Sequence, residues 1–475
     1  MKITKRHKTI RGALALTLLA LSAQSVLLPS GALADVRRRL RLERIEVSGN
    51  RHIPDREIVS SMSIAPGDEI DAETIDRQRE LILGDHGLIR SVEFYTEPGS
   101  QRGLIVLQVE IVEKKKYDFE TGIGYHDRYG WFLTLAGLRI ESPFGTDSHI
   151  RFGYRLGHQV DGFEIEWIGN TGKGDRFGYE ARLYAYDEQR IFYDWREDPG
   201  TPLPEGTEPG PAAELTKLKQ DIERTGIEIG VRYESHNAVV TYGANFEEVI
   251  PDSTLIITDD LKLEGSSFYP ASIRPGIKET YITGVFLRLI RDTRDDFVYP
   301  TKGNYSYLRL QVNNSILGGD DVFARARFEH VSHIDLGGYR TLALRAAGGA
   351  VSENAPYHEK FLTGGTRSVR GYRDWSLSPP AGDDGFWMAG AELRVPLTGR
   401  GNGRPRLCGL LFIEAGQGWT GESELDADDI KASAGYGMRM RLPWLGTFGV
   451  DAGVPLTGSP AGDKYYVHGS LGFSF

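Results

Sequence analysis

One arginine in the last third of the chain stands in a segment whose composition demands a binding partner for it. Residues 361–372 read Phe-Leu-Thr-Gly-Gly-Thr-Arg-Ser-Val-Arg-Gly-Tyr, and Arg370 lies between Val369 and Gly371. The segment is too apolar for a freely solvated loop and too rich in glycine for a strand. The planar guanidinium group of arginine is suited to binding carboxylates through two parallel hydrogen bonds. We therefore expect Arg370 to bind a partner from within a loop that packs against another part of the chain.

The motifs of common hydrolases and nucleotide-binding enzymes are missing from the sequence. It contains neither Gly-x-Ser-x-Gly nor His-Glu-x-x-His. Residues 169–174 (Gly-Asn-Thr-Gly-Lys-Gly) superficially resemble a phosphate-binding loop. They lack its Gly-Lys-Ser/Thr ending, which favours a hairpin turn. We therefore expect no enzymatic activity, no catalytic residues, no cofactor and no metal site.

The N-terminus predicts export from the cytoplasm. Residues 2–11 carry five Lys or Arg, a run of mostly Ala and Leu extends to Leu28, and Ala-Leu-Ala follows at 32–34. A basic region, a short apolar run and a small-x-small cleavage site are typical of a secretory signal peptide. We expect residues 1–34 to be the signal peptide and the mature chain to begin near Asp35.

The composition excludes several classes of protein. Without residues 1–34 the chain has 51 basic and 66 acidic residues, a formal net charge of −15, which argues against binding to nucleic acid. Cys408 is the only cysteine, so no internal disulfide can form, and its apolar surroundings favour a buried, unreactive thiol. The 58 glycines, 10% aromatic residues and short strands are typical of an outer-membrane β-barrel. By composition alone a secreted β-sandwich or propeller stays open.

Residues 35–115 predict a small α+β domain. A strand at 42–47 is followed by a short helix, and Asp71 can cap a second helix. Two alternating segments at 91–96 and 104–112 then read as a strand pair. The predicted order is β-α-α-β-β, with an exposed edge of the sheet.

Residues 116–475 alternate between apolar and polar side chains. At 150–156, for example, Ile, Phe, Tyr and Leu alternate with Arg and Gly. The apolar face suits lipid, whereas repeated charges on the other face suit a wet lumen and would disrupt the core of a soluble sandwich. We therefore predict an all-β membrane barrel of about sixteen antiparallel strands. Long connections are expected on the outer side at 188–219, 251–276 and 353–385.

Two strands near the C-terminus carry features with functional meaning. Glu414 falls on the face opposite Leu411 and Ile413, and we expect it to point inward because a carboxylate facing lipid is costly. The last strand ends with Phe473 and Phe475 on one face. This ending resembles the C-terminal signature of bacterial outer-membrane barrels.

Both parts of the chain resemble known families. The small domain is similar to a POTRA domain, with Val-Ser-Gly-Asn at 47–50 and Gly-Leu-Ile-Arg-Ser-Val at 87–92 in the usual places. The β region resembles the BamA/TamA/FhaC superfamily of outer-membrane assembly and secretion barrels, whose sixth extracellular loop reads Gly-Gly…Val-Arg-Gly-Tyr/Phe. The residues that match this loop motif are Gly364, Gly365, Val369, Arg370, Gly371 and Tyr372.

The resemblance implies a location and a set of contacts. In this superfamily the loop folds back into the lumen and its arginine pairs with acidic residues of the inner wall. Carried over by motif, Glu392 and Glu414 become the partners of Arg370. The barrel is expected in the outer membrane, in contact with lipid and lipopolysaccharide, with the POTRA domain in the periplasm. Unfolded outer-membrane or secreted client proteins and accessory assembly proteins are the implied partners.

The implied function is insertion or assembly of outer-membrane proteins, or translocation of polypeptides, without an energy source such as ATP. A client would pass from the edge of the POTRA sheet to a weak seam between the first and last barrel strands, whose edges can template a client strand. Two alternatives stay open, a two-partner secretion exporter and a passive porin-like or structural barrel. Steady wide-pore current without client crosslinks would favour the porin.

Overall fold

The structure, a computed structural model, describes residues 40–472 apart from 52, 86–87, 102, 127–129, 144–147, 158, 172–175, 195–215, 236, 259–260, 266–268, 271, 297–298, 399–404, 422–424, 443–445 and 461. The predicted signal peptide and the C-terminal residues Phe473 and Phe475 lie outside the described residues. No helix within these ranges is long and apolar enough to cross a membrane. Nor do three or more His, Cys, Asp or Glu side chains in the same ranges group so that they could hold a metal ion.

A small α+β domain occupies the N-terminal part of the described chain. Its elements are β1 (Leu40–Ser48), α1 (Asp55–Ser60), β2 (Glu69–Ile70), α2 (Ala72–Asp85), β3 (Ile89–Pro98) and β4 (Leu104–Glu113). The sheet order is β2-β1-β4-β3, with β1 and β4 parallel, and β3 lies at an edge. Asp71 caps α2, since its carboxylate accepts a hydrogen bond from the Thr74 N–H at 2.9 Å. The predicted β-α-α-β-β order is confirmed, with the two-residue β2 as an addition.

A closed antiparallel barrel follows from Tyr117. Its strands are β5 (Tyr117–His126), β6 (Gly130–Glu141), β7 (Ser148–Gly157), β8 (Val160–Asn170), β9 (Phe177–Asp194), β10 (Thr216–Ser235), β11 (Ala238–Thr258), β12 (Leu261–Leu263), β13 (Thr280–Asp292), β14 (Gly303–Asn313), β15 (Phe323–Asp335), β16 (Thr341–Val351), β17 (Gly385–Pro396), β18 (Leu407–Trp419), β19 (Lys431–Leu442), β20 (Gly446–Pro455) and β21 (Tyr466–Gly472). β12 is a three-residue piece beside the main β11–β13 pairing. The sixteen longer strands confirm the predicted strand number.

Side chains alternate between an apolar outer face and a charged lumen. On β10, Ile229 and Val231 are exposed on the outer face, while Glu228 is buried in the lumen and accepts a hydrogen bond from Arg309 at 2.8 Å. On β18, Leu411 and Ile413 are exposed in the same way. An apolar outer face that meets lipid and an inner face of paired charges are the arrangement of a membrane barrel.

The barrel closes through antiparallel pairing between β21 and β5. Within the part of the chain that the structure describes, the register joins Ser470 to His126 and Leu471 to Tyr125. By comparison, β17 and β18 pair along the full length of β17, Gly385–Pro396. The described residues thus contain two paired positions between β21 and β5, against twelve between β17 and β18.

The structure corrects two of the expected loops. The sequence predicts connections at 188–219 and 251–276, but β9, β10 and β11 extend into both ranges. The predicted bounds of these connections are wrong because side chains at the strand ends pack in a buried apolar cluster with the connection that follows β11 and with the connection between β16 and β17. The side chains that form this apolar cluster are Phe192, Leu218, Leu255, Tyr269, Ile273 and Tyr357. The third expected connection lies between β16 and β17, as predicted.

Candidate functional site

The connection between β16 and β17, residues 352–384, folds back on itself inside the barrel; we call it the lumen loop. Its two legs meet where Phe361 and Asp383 form an isolated antiparallel bridge with hydrogen bonds of 2.8 and 2.9 Å. Phe361 packs in a buried cluster with Ile222 of β10 and Met388 of β17. The loop is therefore a packed element of the lumen instead of a solvated connection.

The side chain of Arg370 is surrounded by three carboxylates. Its Nε and Nη2 donate hydrogen bonds to Glu414 Oε1 at 2.9 and 2.6 Å. Its Nη1 lies 2.8 Å from Glu392 Oε2 and 3.2 Å from Asp451 Oδ2. These contacts join the lumen loop to β17, β18 and β20, so one guanidinium group links three strands of the barrel wall.

The main chain and an aromatic ring complete the surroundings of Arg370. Its backbone N–H donates to Glu414 Oε2 at 2.8 Å. Its guanidinium carbon lies 3.8 Å from the ring centre of Phe412, which has the geometry of a cation–π contact. Arg370 is 7% exposed and Glu414 is 4% exposed. Since water is largely excluded, these contacts are strong, and removing one partner leaves an uncompensated buried charge.

The charges at this site balance each other. Glu392 also binds Arg394 at 2.6 Å, and Asp451 also binds Arg439 at 2.6 Å. Burial alone would lower the pKa of Arg370, but the carboxylates, Glu414 first, raise it above its usual value. Three guanidinium groups thus face three carboxylates, which makes this a structural ion-pair network.

Glycine at 371 permits a close contact between the loop and the wall. Gly371 has φ +89°, a left-handed conformation that favours glycine. A Cβ built on Gly453 of β20 would lie 2.6 Å from the Gly371 Cα, closer than real Cβ contacts. The two backbones therefore meet directly, which brings the Arg370 side chain within reach of Glu414 and Asp451.

The residues next to Arg370 bind the last strands of the barrel. The Gly371 N–H donates to His468 Nε2 of β21 at 3.2 Å. The hydroxyl of Tyr372, a fully buried residue, lies 3.0 Å from the carbonyl oxygens of Ala432 and Thr457. Arg373 binds Asp463 at 2.9 Å. The tip of the loop is thus attached to β21, the strand that closes the barrel.

The predicted site residues come together in part as the sequence suggested. Arg370 lies against both Glu392 and Glu414, and Val369 packs against the wall, where a Cβ at Gly416 would lie 3.0 Å from its Cγ2. Gly364 and Gly365 have φ of +99° and +84° in the turn that precedes the tip.

Sequence reasoning missed Asp451 and His468. Both are buried polar residues on the last two strands, at 3% and 1% exposure. The available signal for Asp451 was the same as for Glu414, a lone carboxylate in an alternating apolar strand. For His468 the signal was the alternation of the last strand, which places it on the face opposite Val467 and Leu471.

Comparison with known proteins gives two family matches. The model of the Omp85 superfamily domain matches residues 221–475, and the POTRA model, described as a surface antigen variable number repeat, matches residues 40–114. A curated relative, the outer membrane protein assembly factor BamA of Nitratidesulfovibrio vulgaris, is 24% identical over 444 residues, covering 90% of this chain. The chain spans about half of that relative, 50% of its length.

Solved structures of similar fold include BamA and CdiB proteins. BamA from Haemophilus ducreyi lacking POTRA domains 1–3 matches with a TM-score of 0.62 at 14% identity, covering 91% of this chain and 84% of that one. CdiB from Escherichia coli matches with a TM-score of 0.54 at 13% identity, covering 91% and 76%. CdiB from Acinetobacter baumannii gives 0.53 at 12%, covering 91% and 74%. At these identities the likeness is one of fold.

Proposed function

Because the chain belongs to the Omp85 superfamily, we propose that it inserts client polypeptides into the outer membrane or assembles them there. The barrel resides in the outer membrane and the POTRA domain in the periplasm. The clients are unfolded outer-membrane proteins, delivered along the β3 edge of the POTRA sheet, which can accept an added strand. No ATP is needed, since the gain in free energy comes from burying the client's apolar face in lipid and pairing its strands.

The observation that carries this proposal is the connection between the Arg370 site and the closing strand. Arg370 binds β17, β18 and β20, and the neighbouring Gly371 binds His468 on β21. β21 in turn pairs with β5 to close the barrel. The buried loop tip thus supports one side of this seam from within the lumen.

The geometry suggests how a client strand would be received. If β21 separates from β5, each strand offers unpaired main-chain groups that a client strand can pair with. The ion-pair network on β17, β18 and β20 holds the wall beside β21 in register while the seam is open. Arg370 therefore acts as a structural anchor, without a covalent step.

A crosslink across the seam tests this mechanism. Tyr125→Cys with Leu471→Cys, in a Cys408→Ser background, joins residues that are directly paired on β5 and β21. Leu471→Cys with Phe448→Cys is the matched control, because Phe448 pairs with the same Leu471 from β20. Paired antiparallel strands place Cα atoms at distances that a disulfide can bridge. We expect the seam crosslink to stop client insertion and a reductant to restore it, with the control active throughout. Full insertion through an oxidised, locked seam contradicts the proposal.

A second candidate function is export of a partner protein, and the fold likeness to CdiB favours it as the alternative. Photo-crosslinkers along β3 separate the candidates by the identity of the captured protein. Capture of nascent outer-membrane proteins supports insertion, whereas capture of one large secreted protein supports export. A passive porin or structural barrel would give no client crosslinks and, for the porin, a steady wide-pore current. Lipopolysaccharide and accessory assembly proteins are further proposed partners.

A further inference from the structure

The lumen loop has a second buried attachment. It lies in the first leg, the part of the loop before the turn at Gly364 and Gly365, instead of in the tip around Arg370. Residues Tyr357–Glu359 form a single 3-10 turn, and all three are buried. The Tyr357 hydroxyl donates to Gln220 Oε1 of β10 at 2.7 Å. The Tyr357 ring packs among Phe192 and Leu218 in the apolar cluster on β9–β11. Apolar packing and a buried hydrogen bond therefore place Glu359 next to β10.

Glu359 pairs with an arginine of the barrel wall. The loop therefore supplies the carboxylate at this attachment, whereas it supplies the arginine at the tip. Arg224 Nη1 of β10 donates to Glu359 Oε1 at 2.9 Å, and its Nη2 donates to the His358 carbonyl oxygen at 3.1 Å. Arg325 of β15 lies 3.6 Å from the other carboxylate oxygen of Glu359. The side chains of Arg224 and Glu359 are 15% and 8% exposed. The same guanidinium group thus binds both the side chain and the main chain of the loop.

Arg224 is itself fixed by the wall before it meets the loop. Its Nε donates to Glu188 of β9 at 3.2 Å, and its Nη1 donates to Glu247 of β11 at 3.1 Å. Two wall carboxylates therefore orient the guanidinium fork, so that its remaining hydrogen-bonding positions face Glu359 and His358. Arg224 is therefore the wall residue that binds the loop at this attachment, as Glu414 is the wall residue that binds Arg370 at the tip.

The two attachments lie on opposite sides of the barrel. Counted around the ring of sixteen longer strands, β10 and β18 are seven positions apart in one direction and nine in the other. A cavity of about 440 Å³ lies between the loop and the wall, and its lining includes Arg224, Arg325 and Glu359. The loop thus crosses the lumen between two ion pairs, with the tip attached near the seam and the first leg attached far from it.

We infer that Arg224 and Glu359 are positioning residues that hold the lumen loop across the barrel. This inference rests on the proposed function and assigns different roles to the two parts of the loop. The first leg stays docked on β10 through Tyr357 and the Arg224–Glu359 pair, while the tip at Arg370 is the end that follows β21. Loss of the Arg224–Glu359 pair frees the first leg, joins the cavity to the rest of the lumen and shifts the tip away from the seam.

A matched pair of isosteric variants tests the inference in the full chain. Glu359→Gln removes the charge on the loop, and Glu164→Gln removes the charge of a wall residue of β8 that accepts hydrogen bonds from Arg151 and Arg182, each at 2.7 Å. Loop release is read from maleimide labelling of Ser368→Cys, a position 4% exposed in the tip. Both variants carry Cys408→Ser. Single-channel conductance in planar bilayers is the second readout, and heat-modifiable gel mobility verifies folding.

We expect Glu359→Gln to raise the labelling rate by about tenfold or more, as the loss of a hydrogen bond to a charged group predicts, and to add open-channel events. Glu164→Gln is expected to label like the parent. Equal labelling of the two Gln variants overturns the inference. If Glu359→Gln does not fold, Tyr357→Phe, which removes only the Gln220 hydrogen bond, takes its place with the same expectation.

Client insertion is measured separately, so that the two proposals fail in different ways. Labelling and conductance use the purified barrel and need no client. Release of the loop with unchanged client insertion supports the attachment at Glu359 and contradicts the role of the loop in insertion. Unchanged labelling with a working seam crosslink experiment overturns the attachment and leaves the proposed function standing.

Discussion

Arg370 binds Glu414 twice, through its backbone N–H at 2.8 Å and through its guanidinium group at 2.6 and 2.9 Å. One carboxylate therefore fixes both the position of the loop backbone and the orientation of the side chain. Lysine could supply the charge at position 370 but not the planar fork that also reaches Glu392 and Asp451. The site consequently depends on arginine in particular, and its strength comes from geometry as much as from charge.

The first prediction concerns the coupling between these two residues. Arg370→Ala or Glu414→Ala alone leaves a buried charge without a partner, which costs about 3–5 kcal/mol in comparable buried pairs. Each is expected to lower client insertion and to raise protease cleavage of the lumen loop. The double variant should cost clearly less than the sum of the two, by roughly 0.5–3 kcal/mol in a double-mutant cycle of barrel unfolding. Strictly additive effects would show that the two residues do not act as a pair.

The second prediction concerns the contact between Gly371 and Gly453. A Cβ at position 453 would approach the Gly371 Cα to 2.6 Å, whereas a Cβ at Gly458 meets nothing within 4 Å. Gly453→Ala should therefore push the loop tip off β20 and increase its protease cleavage. Gly458→Ala is the control and should behave as the parent. If both variants are cleaved at the parent rate, backbone contact at 371 does not hold the tip.

The third prediction concerns His468, the contact between the loop and the closing strand. His468→Phe keeps a ring but removes the acceptor for the Gly371 N–H. A buried N–H without a partner costs about 1–3 kcal/mol. We expect β21 and β5 to be paired for a smaller fraction of the time, so that the Tyr125→Cys with Leu471→Cys crosslink forms in lower yield. His333→Phe, at a buried histidine of β15, serves as the control. A crosslink yield equal to that control would remove His468 from the mechanism.

The fourth prediction concerns pH and Asp383 in the second leg of the loop. Burial raises the pKa of Asp383 from 3.8 to about 7; Asp384 adds to this, while hydrogen bonds from Ser378 and Thr363 oppose it. The closed loop therefore binds a proton that the open loop releases, so closure loses stability as the pH rises from 3.8 towards about 7.

Hydrogen exchange of the loop amides, corrected for the intrinsic rates, measures this effect. Protection should fall between pH 5 and pH 8 in the parent. In Asp383→Asn it should stay level, because the amide does not titrate in this range. Parallel pH profiles for the two proteins would rule out Asp383 as the titrating group.

The local sequence pattern predicted much of the architecture. The alternation of apolar and charged residues predicted a barrel of about sixteen strands, and the structure has sixteen longer strands. The same reasoning misplaced the strand ends within 188–219 and 251–276, where β9, β10 and β11 extend into the expected connections. There the strand ends pack against Tyr269 and Ile273 of the connection that follows β11 and against Tyr357 of the lumen loop. Alternation reports the surroundings of a strand only where one face meets lipid and the other meets water.

Residue types and a period of two were enough to predict that Arg370 needs a partner and that Glu414 points inward. The further groups that complete the site are brought together only when the barrel folds. Asp451 is 81 residues from Arg370, His468 is 97 residues from Gly371, and Glu359 is 135 residues from Arg224. Such contacts depend on strand register and on the closure of the ring. Register and closure are set by the summed pairing of all strands, and no local pattern encodes that sum.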